Sequence, residues 1–151
     1  KLGLSILDFT EGAVRSAKAK AIGARGLAHE KQIHQILLNK FGEVFVHEQK
    51  PFNDYEGRLD FFVYTKNENF GIDVFYPIDK DSFMGCINSK QRLYKKLNHK
   101  LILLQANPQI TQKDINHTLS TKKNPLPSNM LVFTLDSFLN FINNLEPLKM
   151  V

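Results

Sequence analysis

Leu59-Asp60-Phe61-Phe62-Val63-Tyr64-Thr65, then Lys66-Asn67-Glu68-Asn69, then Phe70-Gly71-Ile72-Asp73-Val74-Phe75-Tyr76 is the stretch on which the fold turns. Two apolar runs rich in aromatic and β-branched residues, joined by a short polar segment, predict a β-hairpin of strands 58–65 and 70–76, with Pro77 stopping the second. Each run carries one aspartate, a residue depleted in strands. Side chains alternate faces along a strand. A two-residue turn at Lys66-Asn67 or Asn67-Glu68 therefore puts Asp60 and Asp73 on one face, directly opposed with the first turn and diagonal with the second. A three-residue turn would separate them. Two carboxylates that close repel unless a proton or a cation lies between them.

Outward from the hairpin, Leu27 to Phe41 has helical periodicity and stops at Gly42, a residue favoured just past helix ends. Val44-Phe45-Val46 reads as a short strand. Downstream, Ser82 to His99 predicts a helix with Asp81 or Ser82 as its N-cap, and Leu101-Ile102-Leu103-Leu104 a strand buried on both faces. Thr111 to Ser120 predicts a helix, Met130 to Phe133 a strand, and Asp136 caps a last helix with Phe138, Leu139, Phe141, Ile142 and Leu145 on its apolar face. The order α-β-β-β-α-β-α-β-α implies an α/β domain, a mixed β-sheet with a central hairpin flanked by helices on both faces. Residues 1–26 read as a basic N-terminal arm or short element, and 27–151 as the folded domain.

Two charged residues sit on apolar helix stripes. At 100° per residue, with Glu30 as origin, Leu37 falls near about −20°, Phe41 near +20°, Leu27 near +60° and Ile33 near −60°. Glu30 thus lies mid-stripe, where a carboxylate needs a partner or, from the first turn, an escape to solvent. On the second helix, with Lys90 as origin, Phe83 falls near about +20°, Leu97 near −20°, Tyr94 near +40° and Cys86 near −40°. Lys90 is too far from either end to escape, and points inward unless its long stem snorkels to the helix edge. Two close carboxylates, a third acid and a lysine facing an apolar interior meet the requirement of phosphodiester hydrolysis. Carboxylates suit Mg²⁺, and a nearby lysine would stabilise developing charge or orient water.

From Leu27 to Leu104 the layout resembles the PD-(D/E)XK superfamily, the restriction-endonuclease-like fold: a helix with Glu30, a strand, Gly57-Arg58-Leu59-Asp60, a hairpin, Ile72-Asp73-Val74-Phe75, a helix, an apolar strand. Leu59 stands where the family's motif has proline. Phe75 stands where the (D/E)-x-K tripeptide has lysine. Some members carry that lysine on the following helix, and the resemblance then implies this role for Lys90, with Gln91 an alternative about 100° off the stripe. It implies a Mg²⁺-dependent endonuclease, with Mn²⁺ a substitute, in which Asp60, Asp73 and Glu30 serve the metal. Restriction enzymes, Holliday-junction resolvases and bacterial intron-encoded homing endonucleases share this lone-domain form and act as homodimers or homotetramers. A catalytically inactive binding or assembly module on the same fold, or an RNA-directed nuclease, is the competing expectation.

The chain has 151 residues, 42% hydrophobic and 23% charged, and its 20 Lys and Arg against 15 Asp and Glu give +5. The composition excludes a mainly disordered chain, and the charge balance favours a polyanionic partner, most often nucleic acid, although ribosomal or membrane-surface attachment would give the same balance; the resemblance implies double-stranded DNA. Lys18, Lys20, Arg25, Arg58, Arg92, Lys95 and Lys96 are the candidate phosphate contacts. One cysteine, Cys86, excludes a disulfide framework and a cysteine-rich zinc site, and suggests a reducing, cytoplasmic setting. No apolar run reaches membrane-spanning length. The five histidines show no metal-ligand spacing, and no glycine-rich phosphate loop is present.

Overall fold

The computed structural model describes residues 28–48 and 59–150. Its elements are helix α1 (residues 28–41), strands β1 (Val46–Glu48), β2 (Phe61–Tyr64) and β3 (Asn69–Phe75), helix α2 (Lys80–Leu93), β4 (Lys100–Gln105), α3 (Gln112–Ser120), β5 (Met130–Phe133) and α4 (Leu135–Asn143). The five strands form one sheet in the order β1-β2-β3-β4-β5. The first three are antiparallel neighbours, whereas β3, β4 and β5 run parallel. The expected α/β class and mixed sheet are what the chain adopts.

Helices cover both faces. Phe83 and Ile87 of α2 and Ile115 of α3 pack with Leu101, Leu103, Met130 and Val132 on one face. Ile33, Leu37 and Phe41 of α1 and Phe138 and Ile142 of α4 pack with Ile102, Leu104, Phe70 and Ile72 on the other. Residues 101–104 of β4 are all apolar because alternate side chains serve the two cores. Among the described residues no helix is long and apolar enough to cross a membrane.

Several boundaries differ from expectation. Gly42, at φ +87°, ends α1, and its N–H still bonds Leu38 O. The chain then makes a 3₁₀ turn, Glu43–Phe45, so β1 begins at Val46, the residue paired with Val63. α2 starts earlier than expected: Asp79 is the N-cap, not Asp81 or Ser82, and Ser82 returns the bond in a capping box. It also stops at Leu93 rather than His99. A helix of 14 residues spans about 21 Å, close to the length of the seven-residue β3 that it runs back along. The chain must turn there for Lys100 to pair with Phe70. Thr134, not Asp136, caps α4, leaving Asp136 in the first turn.

Candidate active site

Asp73 lies in β3 with its side chain on the α2 face, and Lys90 comes down on it from α2. Lys90 Nζ is 2.9 Å from both Asp73 carboxylate oxygens, and the Tyr94 hydroxyl donates to Oδ2 at 2.5 Å. Lys90 Nζ also stands 5.0 Å over the ring of Phe75, a cation–π contact. The helix stripe explains the meeting: Phe83, Ile87 and Tyr94 are buried against the sheet, and Lys90 shares their side. Lys90 and Asp73 side chains are only 20% and 9% exposed. Burial pushes the Asp73 carboxyl up from its ordinary range, with Lys90 and Tyr94 pulling the other way. The same burial, with the Asp73 charge beside it, pushes the Tyr94 phenol up.

Asp60 takes a different position from the one alternation gives it. The hairpin register, Tyr64 against Asn69 through Phe61 against Ile72, is that of the Lys66-Asn67 turn. Continued by one step, it would set Asp60 opposite Asp73. Instead the Asp60 backbone N–H donates to Ile72 O, the carbonyl already opposite Phe61. Two residues thus face one, which is a β-bulge. Leu59 accordingly packs into the α2-side core with Phe62, although strict alternation would send it to the side of Phe61 and Val63. Asp60 is released from the ladder: its Oδ2 accepts the Val74 N–H at 2.6 Å. Its carboxyl lies within hydrogen-bonding reach of Glu30 from α1.

The direct Asp60–Asp73 pairing is therefore replaced by two linked pairs where β2 begins beside the central strand β3, Glu30 with Asp60 and Asp73 with Lys90. Asp60 and Asp73 still sense each other's charge, and Lys90 acts on both. Burial, then the shared hydrogen bond with Glu30, pushes the Asp60 carboxyl up to about 7. Glu30 does not escape to solvent from its first turn; it is half-buried and meets Asp60.

Among the described residues no group of three or more His, Cys, Asp and Glu is set to hold a metal as it stands. The donor chemistry nevertheless fits a hard divalent cation. Two carboxylates in contact, one holding its proton to about pH 7, form a site with surplus negative charge. Glu30 and Asp60 could hold such an ion, with Asp73 the neighbouring carboxylate.

Gln91 is not part of this cluster. It faces the loop after α3, where its Nε2 donates to Pro125 O at 3.0 Å. Tyr94 is the member that sequence reasoning missed as a polar group. It sat on the Lys90 stripe, one turn further on, and counted there only as an apolar ring. Of the expected phosphate contacts, Lys18, Lys20, Arg25 and Arg58 lie outside the described residues. Arg92, Lys95 and Lys96 are exposed at the end of α2, with Arg92 donating to Ser89 Oγ. No family model matches the chain, and no curated protein is similar enough to match it.

Proposed function

We propose that this chain is a divalent-metal-dependent DNA endonuclease with the restriction-endonuclease-like arrangement of acids and lysine. The observation that carries the reading is the Lys90–Asp73 contact. A lysine absent from the strand position, where Phe75 stands, is supplied from the next helix and reaches the second acid at 2.9 Å. Glu30, Asp60 and Asp73 would hold Mg²⁺ or Mn²⁺, which when bound polarises a phosphodiester and makes its water more acidic. Lys90 provides positive charge beside the reacting phosphate, and Tyr94 holds the Asp73 carboxylate in place. The +5 net charge suits a nucleic-acid substrate, which on this reading is double-stranded DNA, with a homodimer or homotetramer presenting two such sites to two strands.

The test is incubation with supercoiled plasmid and a pooled DNA library, with Mg²⁺, with Mn²⁺ and with EDTA. Discrete EDTA-sensitive products are expected. Asp60→Ala and Asp73→Ala should each cut at least roughly a hundredfold more slowly while still binding DNA. Cutting that survives both substitutions overturns the assignment.

One observation favours a second reading, a non-catalytic DNA-binding module. Both Asp73 oxygens are already engaged, by Lys90 and by Tyr94. That module would bind DNA in a strongly salt-dependent way and cut nothing in the library.

A further inference from the structure

In the acidic cluster, the seat that a cation would take on Asp73 is held by an ammonium group. Lys90 Nζ is 2.9 Å from Oδ1 and 2.9 Å from Oδ2, so it lies in the fork between the two oxygens. Tyr94 adds a third bond, to Oδ2. A carboxylate has about four lone-pair directions, and these contacts engage most of them. Mg²⁺ binds carboxylate oxygen directly, at about 2.0–2.1 Å, and two cations in one fork repel strongly. Asp73 therefore serves either Lys90 or a divalent ion. The second feature is Phe75. Its ring is buried and stacked on Phe83 of α2, with centroids 6.2 Å and planes 11° apart, which fixes its orientation. Lys90 Nζ already stands over that ring, 5.0 Å from its centroid. The Lys90 side chain is partly exposed and carries its charge on a flexible four-carbon stem. It has room to leave the fork without leaving the ring.

We infer that Lys90 is a two-position group: it fills the Asp73 fork before a divalent ion enters, then yields the fork and rests on the face of Phe75. The inference rests on the nuclease reading and deepens it, because the same lysine guards the site before metal enters and serves it afterwards. Phe75, which stands where the motif has lysine, is then a positioning residue. Its ring keeps the displaced ammonium beside the cluster, where a bound phosphodiester would meet it. Without that ring the freed ammonium has only the acids or bulk solvent to return to, and neither holds it against phosphate. Cation–π attraction also offsets part of the lost ion pair, so the ring bears on how readily the metal enters. Tyr94 stays on Oδ2 in both positions, and Asp73 exchanges one cation for another without being left as an unpaired buried charge.

The experiment is titration of the whole chain with Mg²⁺, without DNA. Heat is followed together with the ε-methylene resonances of Lys90 in labelled protein, assigned by their loss in Lys90→Arg, which keeps the ion pair. Mg²⁺ should move these resonances further upfield as the ammonium settles over the ring. Phe75→Leu should abolish that ring-dependent shift and bind Mg²⁺ about three- to tenfold more weakly, and Phe75→Tyr should restore both. Lys90→Met should bind Mg²⁺ at least about tenfold more tightly, because nothing then competes for the fork. The unmodified chain and the Phe75 variants carry the test even if Lys90→Met, with Asp73 stranded, does not fold. Mg²⁺ binding that leaves the Lys90 resonances unmoved overturns this inference alone: the ion then sits on Glu30 and Asp60, and the nuclease reading stands. Equal Mg²⁺ affinity and an equal Lys90 shift in Phe75→Leu overturn the second position. No Mg²⁺ binding by the unmodified chain or by the Phe75 and Lys90 variants overturns the nuclease reading, and this inference with it.

Discussion

At the residue scale, the Lys90–Asp73 pair is the part of the site whose energetics are most exposed to test. An ion pair this buried stabilises little relative to an apolar pair, yet losing one partner strands the other. Lys90→Met should cost about 3 kcal/mol in urea unfolding because Asp73 keeps its burial and loses its cation. Adding Asp73→Asn to Lys90→Met should recover most of that loss, since the stranded charge is gone. Tyr94→Phe should cost about 1 kcal/mol by removing the donor to Asp73 Oδ2. If Lys90→Met is as stable as the unmodified chain, the contact is not formed in solution. Lys90 could be read from the sequence because helical angle is a property of position alone: mid-helix and mid-stripe, it had no route past a terminus. The Tyr94 hydroxyl could not be read this way. An aromatic ring satisfies the apolar stripe whether or not its oxygen has a task, and only the packing of α2 over β3 sets that oxygen beside Asp73.

At the scale of elements, the bulge that opens β2 decides where Asp60 goes, and Gly71 is what admits it. A Cβ on Gly71 would stand 2.4 Å from Leu59 Cδ1, and Leu59 is fully buried in the α2-side core. Gly71→Ala should therefore destabilise by about 1–3 kcal/mol through overpacking. Because Leu59 is bonded to Asp60, the displacement should also loosen the Val74 N–H contact and, on the proposed nuclease reading, slow cleavage. Leu59→Ala alone should cost about 2–5 kcal/mol as a cavity, but less in the Gly71→Ala background, because there it relieves the clash. Simple additivity of the two in a double-mutant cycle would show that Leu59 does not crowd a side chain at position 71. The hairpin, its turn and its register were legible because alternation and the Lys66-Asn67 turn are local features. The bulge was not: inserting one residue leaves the composition of the strand unchanged, and the signal lies in Leu59 and Phe62 sharing a core that alternation would deny them. The ends of α2 were misjudged for a related reason. Its length is set by β3 and the pairing of Lys100 with Phe70, contacts between elements that helical periodicity does not contain.

At the scale of the whole molecule, the acidic cluster should make global stability fall with rising pH. Asp60 titrates at about 7 in the folded chain against an ordinary 3.8. Between those values the folded state holds a proton that the unfolded state has released, so unfolding stability declines as pH climbs from about 4 to about 7 and levels off above. Asp73 is shifted in the same direction by burial and adds to the decline. Asp114, half-buried and held low by its capping hydrogen bonds with Thr111, acts in the opposite sense, but only below its ordinary 3.8. Discounting Asp60 for its partial exposure, the loss is roughly 2 kcal/mol, which corresponds to about 5 °C in melting temperature for a chain of this length. Asp60→Asn should remove much of the slope, because an amide neither gains nor loses a proton there, and leave the part that Asp73 contributes. A divalent cation competes with that proton for the same negative charge. Millimolar Mg²⁺ should therefore raise the melting temperature of the unmodified chain above pH 7, have less effect near pH 5, and do little for Asp60→Asn at either pH. Thermal unfolding of both proteins across pH, with and without Mg²⁺, reads all of this without any cleavage. A pH slope of equal size in both proteins would mean that the Glu30–Asp60 contact does not hold a proton. A slope that Asp60→Asn reduces, with no response to Mg²⁺, would leave a proton site rather than a metal site in the acidic cluster.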